Sequence, residues 1–200
     1  MKSFPVLPTD IYQGYYEKNS ELDDFVRNMK KESSNLPDMI NIPKNLSFDI
    51  DRLPKSFFEF LNDSIEEVLF LEKILYDSYH ISNIWINIHD KKINSHRYHV
   101  HQNSIFSGVY YYETVEKDTI TFLDADENFN QYYNLLTTNH KTYKEKIYDK
   151  SISNGDILIF RSDVKHGVRP FTSQPNKHRT SISFNIDLKG IGNKDRKTYR

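Results

Sequence analysis

The sequence contains no cysteine, which excludes disulfide staples, thiolate metal ligation and a cysteine nucleophile. It holds a single alanine, Ala125, among many Asn, Lys, Ile, Tyr and Phe. That skew points to an AT-rich coding genome and carries no mechanism. Net charge is also scarce: 27 Lys and Arg stand against 28 Asp and Glu, formally -1. With the two signs intermixed, the chain does not look like a nucleic-acid-binding domain driven by bulk charge. No apolar run approaches the roughly 18 residues that span a membrane, and the opening "MKSFPVLPTD" lacks the apolar centre of a signal peptide. The expectation is a soluble cytoplasmic protein, virus-encoded chains in a host cytoplasm included. No Gly- or Pro-rich linker divides the 200 residues, which suffice for one domain with a sizeable core.

Within that one domain the texture changes once. Residues 1–78 read as an extended arm carrying Pro5 and Pro8, followed by a helical layer. "SELDDFVRNMKKE" predicts a short helix with Ser20 as its N-cap and acids in its first turn. "LPKSFFEFLNDSIEEVLFLEKILYD" predicts a longer one, with Phe58, Leu61, Ile65, Val68, Leu69 and Leu75 as its buried stripe. From Tyr79 the chain turns to β. "ISNIWINIH" places Ile84, Ile86 and Ile88 on one face and Asn83, Trp85, Asn87 and His89 on the other. Further strands are predicted at 98–103, 105–113, 119–123, 155–161, 167–171 and 180–188, with a long loop over 124–146 that has a helical turn at "QYYNLL". Residues 79–190 thus form a β core of about seven short strands, a sandwich or small barrel, and 191–200 a basic tail.

Three elements of that core bear chemistry. "HVHQNSIFSGVYYYE" sets His99 and His101 two residues apart, so that on a strand both imidazoles face one object. "NGDILIFRSDVKHGVRP" turns at Gly155 and Asp156, runs through a buried strand and reaches His166. Asp163 nearby is placed to orient that imidazole as a hydrogen-bond acceptor. "RTSISFNIDL" alternates an apolar face with a polar one made of Arg179, Ser181, Ser183, Asn185 and Asp187. Three imidazoles without a thiolate suit a divalent ion such as Fe, Zn, Ni or Cu with open coordination positions. An arginine in a barrel mouth suits a carboxylate, which its planar fork binds through two charge-assisted bonds. His80, His89, His96, His140 and His178 are left as surface or packing residues.

With "WIN" at 85–87, "HVHQNSIFSGVYY", "GDILIF", His166 and "HRTSISFN" in this order, the chain resembles the 2-oxoglutarate- and Fe(II)-dependent oxygenases found in bacteriophages and marine bacteria. The resemblance covers about half the chain, from Trp85 to Asn185. It implies a mostly β protein whose core is a double-stranded β-helix, or jelly roll, behind N-terminal helices. It implies Fe(II) and 2-oxoglutarate as cofactors, and O2 with a small-molecule or peptidyl substrate as partners. Hydroxylation would release succinate and CO2. His99, His101 and His166 would hold iron, Arg179 and Ser181 the far carboxylate of 2-oxoglutarate, and Ser107 and Tyr111 would assist. Asn87 and Trp85 would line the pocket. One departure stands out: His101 occupies the place where the superfamily has Asp or Glu. His-x-His also opens the cupin metal motif, so a three-histidine dioxygenase that does not use 2-oxoglutarate is the second reading. A non-catalytic jelly roll is the third. Neither the substrate nor the oligomeric state is legible.

Overall fold

Asn19 begins the first helix. Its side-chain oxygen accepts from the Leu22 N–H at 3.0 Å, satisfying one of the N–H groups that a helix start leaves without a partner. Ser20, the expected cap, is already the first residue of α1 (Ser20–Ser33), which buries Leu22, Phe25, Val26 and Met29. The computed structural model describes residues 10–36, 43–89, 95–124, 146–170 and 178–190. Pro5 and Pro8 of the arm, the "QYYNLL" turn and the tail lie outside the described residues.

The second helix, α2 (Lys55–Leu71), begins after Pro54 and buries Phe57, Leu61, Ile65, Val68 and Leu69. Each such side chain contributes about 1.5–3 kcal/mol on leaving water. The helix stops where Lys73 takes a left-handed φ of 54°. The Lys73 N–H then reaches the Phe70 carbonyl at 3.1 Å, and the Ile74 N–H reaches that of Leu69 at 3.2 Å, the pairing of a Schellman cap. This reversal corrects the expected stripe. Leu75 lies past the helix and is 77% exposed, and Phe58 is only partly buried while Phe57 takes the core position.

Among the described residues there are ten strands. They are β1 (Ile11–Tyr15), β2 (Lys44–Ser47), β3 (Ser78–His89), β4 (His96–His99), β5 (Phe106–Glu113), β6 (Thr119–Asp124), β7 (Lys146–Ser151), β8 (Asp156–Arg161), β9 (Lys165–Val168) and β10 (Arg179–Lys189). A six-stranded sheet runs β1-β8-β5-β10-β3-β2, and a four-stranded sheet runs β4-β9-β6-β7. All pairings are antiparallel. From β3 to β10 the chain passes back and forth between the two sheets, making a double-stranded β-helix, or jelly roll. Strands β1 and β2, from the segment expected to be arm and helical layer, extend the edges of the large sheet. None of β1, β2 and β7 was predicted as a strand. The expected strand at 98–103 ends instead at His99, and the one at 167–171 is β9, beginning at Lys165.

Period-2 alternation sorts the large sheet into two faces. Ile84, Ile86, Tyr110, Ile157, Ile159, Ile182 and Phe184 join the helices in one apolar core. The opposite residues face the small sheet. Tyr111, Leu158 and Phe160 meet Ile120, Phe122 and Ile152 there in a second, smaller core. Gly108 leaves room for the Phe184 ring, against which any β-carbon would collide. Among the described residues no helix is long and apolar enough to cross a membrane.

Candidate active site

The small sheet brings two of the three histidines together directly. β4 and β9 pair so that His99 lies opposite His166. His101 is past the end of β4, and its position comes from its backbone N–H, which donates to the Ser162 carbonyl at 2.9 Å. The rings therefore converge by a different route from two neighbours on one strand. One ring nitrogen each from His99, His101 and His166 lies within 4.8 Å of the others.

Each imidazole is oriented from behind. Nδ1 of His99 faces the Arg97 carbonyl at 2.9 Å, Nδ1 of His166 the Val164 carbonyl at 2.9 Å, and Nδ1 of His101 the Asn185 side-chain oxygen at 2.7 Å. These acceptors place the proton on Nδ1 and leave the Nε2 lone pairs for the shared centre. Burial lowers the pKa of all three; His166, crowded also by His99, falls to about 3. The set is thus neutral at pH 7, as metal ligation requires. Nε2 of His99 and Nε2 of His101 stand 3.1 Å apart. Two nitrogens about 2.1 Å from one ion and at right angles to each other are separated by about 3 Å, so the donor set fits a divalent ion.

Below the histidines, the polar face of β10 is buried from Arg179 to Asn185. This is an interior wall, unlike that of a half-exposed strand. Nδ2 of Asn87 donates to the Ser183 hydroxyl at 2.7 Å and lies 3.4 Å from that of Ser181. Trp85 donates to Asn87 at 3.1 Å and stacks on His101 with ring centroids 5.6 Å apart. Ser107 donates to Asn185 at 3.1 Å and shares a 2.8 Å bond with Ser162, so its hydroxyl supports the residue that orients His101. Trp85, Asn87, Ser107, Arg179, Ser181 and the three histidines line one cavity.

Arg179 sits at the far end of that cavity, 3% exposed. Its Nε donates to both oxygens of Asp118, at 3.0 and 2.9 Å, a bonding mode that does not engage the terminal nitrogens. Burial pushes the Asp118 carboxyl up, against the pull of the guanidinium and of the Val115 and Thr119 backbone. The Tyr111 ring centroid lies 5.2 Å from the guanidinium carbon. Its hydroxyl is buried beside the guanidinium and donates no hydrogen bond.

Two expectations are corrected, and one residue of the site had not been expected at all. Asp163 does not orient His166. Its carboxylate is exposed and paired with Arg161, because the tight turn before β9 gives the imidazole the Val164 carbonyl instead. His89 and His96, left among surface or packing histidines, also line the cavity. His89 is buried and held neutral, and burial lowers His96 to about 3. Asp118 went unremarked, since nothing in "VEKDT" marks it; only the pairing of β10 beside β5 brings it to Arg179.

A family model described as "Putative 2OG-Fe(II) oxygenase" matches residues 83–185, just over half of the chain. No curated protein matches it. Solved structures share the fold at low identity. A prolyl-4-hydroxylase from Pseudomonas putida is 14% identical, with 91% of this chain and 94% of that one covered and a TM-score of 0.55. SnoK, described as a non-heme alpha-ketoglutarate-dependent carbocyclase from nogalamycin biosynthesis, is 12% identical over 90% and 80%, with a TM-score of 0.62. HygX from Streptomyces hygroscopicus, solved with nickel and 2-oxoglutarate bound, is 11% identical over 90% and 83%, with a TM-score of 0.56. The three histidines at one end of the jelly roll and the family match over the same strands agree: this chain belongs to the 2OG-Fe(II) oxygenases, enzymes that use iron, 2-oxoglutarate and O2.

Proposed function

We propose that the protein is a hydroxylase of a small-molecule or peptidyl substrate. The reaction is R–H + O2 + 2-oxoglutarate → R–OH + succinate + CO2. The observation that carries this reading is the pairing, within one cavity, of three converging Nε2 atoms with a buried guanidinium at the other end. His99, His101 and His166 would hold the iron, which when bound supplies the oxidising chemistry that no side chain can provide.

This chain's own groups do the rest. The Nδ1 contacts of the three imidazoles fix their tautomers, so that ligation requires no rearrangement. The terminal nitrogens of Arg179 suit the far carboxylate of 2-oxoglutarate, and Ser181 lies two residues along on the same face. A carboxylate held there also gives the Tyr111 hydroxyl the acceptor it lacks. Trp85 and Asn87 shape the wall between these ends, and burial of the whole polar face keeps water out of the cavity.

The test is succinate formation from 2-oxoglutarate under Fe(II), O2 and ascorbate, with pooled amino acids, peptides and nucleotides as candidate substrates. A substrate-dependent rise in succinate, with one oxygen from 18O2 in the product, supports the reading. A metal-loaded protein that neither binds nor turns over 2-oxoglutarate refutes it.

A further inference from the structure

The permanent cation lining the cavity, Arg179, already has a counter-ion. Asp118, whose side chain is 1% exposed, is held in the turn between β5 and β6 by the backbone of Val115 and Thr119. Its carboxylate receives Nε of Arg179. The remaining described residues lining the cavity are neutral imidazoles, hydroxyls, amides and apolar groups. Without a metal ion the interior therefore carries no net charge. A 2-His-1-carboxylate iron site keeps its anion at the metal. In this barrel the ligands are three neutral imidazoles, and the buried carboxylate sits on the arginine instead.

We propose that Asp118 is a positioning residue for the cosubstrate: it braces Arg179 through Nε, leaving the terminal nitrogens for a ligand carboxylate, and by cancelling the guanidinium charge it makes dicarboxylate binding depend on a divalent ion bound first. This rests on the reading of Arg179 as the cosubstrate anchor. A second carboxylate on the same guanidinium lies about 6 Å from the first, and at an effective dielectric of about 20 the repulsion weakens binding by a factor on the order of a hundred. The two positive charges of the ion reverse that balance, because the dianion and the ion sum to zero. The metal-free barrel thus discriminates against dicarboxylates, and the loaded one accepts them.

Glutarate separates this charge effect from chelation, since it has both carboxylates and no 2-oxo group. Binding is read from the fluorescence of Trp85, the one tryptophan in the chain, which lines the cavity, and by calorimetry. The zinc-loaded wild type is expected to bind glutarate at least about tenfold more tightly than the metal-free protein. Asp118→Asn keeps an oxygen for Nε and drops the charge, so its metal-free form should bind glutarate at least about tenfold more tightly than metal-free wild type. Asp118→Ala also loses the brace and should bind more weakly than Asp118→Asn. An Asp118→Asn protein that binds glutarate no better than wild type without metal overturns the proposal. If neither variant folds, the wild type decides: metal-free binding within about threefold of the zinc-loaded value overturns it equally. A zinc-loaded wild type that takes up neither glutarate nor 2-oxoglutarate defeats the anchor reading and this proposal with it. Uptake of both, with Asp118→Asn unchanged, defeats this proposal alone.

Discussion

Replacing Arg179 removes two things at once, and the structure separates them. The first is ligand binding. A guanidinium presenting two terminal nitrogens to a carboxylate makes charge-assisted hydrogen bonds of about 1.5–3 kcal/mol each. At about 1.4 kcal/mol per factor of ten, Arg179→Ala should weaken 2-oxoglutarate binding about tenfold for one lost bond and more than a hundredfold for two. The second is stability. Arg179 and Asp118 are exposed by only 3% and 1%, and removing one partner of such a pair costs about 3–5 kcal/mol. For a chain of this size each kcal/mol lowers Tm by about 2–4 °C, so a fall of roughly 6–20 °C is expected. Arg179→Lys keeps the charge beside Asp118 and should recover most of the Tm, but only part of the affinity, since an ammonium lacks the fork. The assay is anaerobic titration of 2-oxoglutarate into Fe(II)-loaded protein, followed by its visible charge-transfer band, at a temperature where each variant is folded. Metal content should stay near wild type, because Arg179 supplies no ligand. Unchanged 2-oxoglutarate affinity in a folded, iron-loaded Arg179→Ala protein would refute the anchoring role.

Four further expectations concern the histidines. His101→Ala should lose metal affinity about as severely as His99→Ala or His166→Ala by anaerobic metal titration; undiminished iron binding would remove His101 from the ligand set. His101→Asp should keep iron while altering activity, as a neutral donor becomes an anionic one. Asn185→Leu deprives the His101 Nδ1 of its acceptor, and metal affinity should fall about 10–100-fold, with an equal Kd for both proteins counting against that support. His89 is neutral and 1% exposed in the folded state, whereas an unfolded imidazole charges below about pH 6.5. The unfolded state therefore binds the extra proton as pH falls through that value, and the fold loses about 1.4 kcal/mol per pH unit for each such group. Urea denaturation of metal-free protein between pH 7 and 5 should show a shallower loss in His89→Gln than in wild type, and identical slopes would exclude His89 from the effect.

The alternating strands were legible because period 2 is written directly into residues such as Ile84, Ile86 and Ile88, and Ser181, Ser183 and Asn185. The three converging histidines were legible by type and order, although not by local geometry: His101 reaches the centre from beyond its strand. Partners that meet only across strands were hidden. Asp118 reaches Arg179, and Asn185 reaches His101, through registers that no local pattern specifies. His89 and His96 were passed over because a single buried histidine has no signature of its own. Strand β7 was hidden for the opposite reason. Ile147 and Tyr148 are 51% and 56% exposed, so an edge strand facing water lacks the apolar alternation that identifies buried ones. Leu75 misled because its spacing continued a helix that Lys73 had already ended.

The position of β10 bears on how the protein is made. It pairs with β3 on one side and β5 on the other, in the interior of the large sheet, yet it is the last described strand to leave the ribosome. Until residues 179–189 emerge, the edges of β3 and β5 that it will join lack their partner, and both carry the apolar residues of the main core. A nascent chain held at that stage presents two strand edges open to foreign pairing. It also holds all three histidines but none of the wall that orients His101 or carries Arg179. Acquisition of a working site is therefore tied to the emergence of β10, so that chains interrupted upstream of Arg179 cannot assemble an active centre.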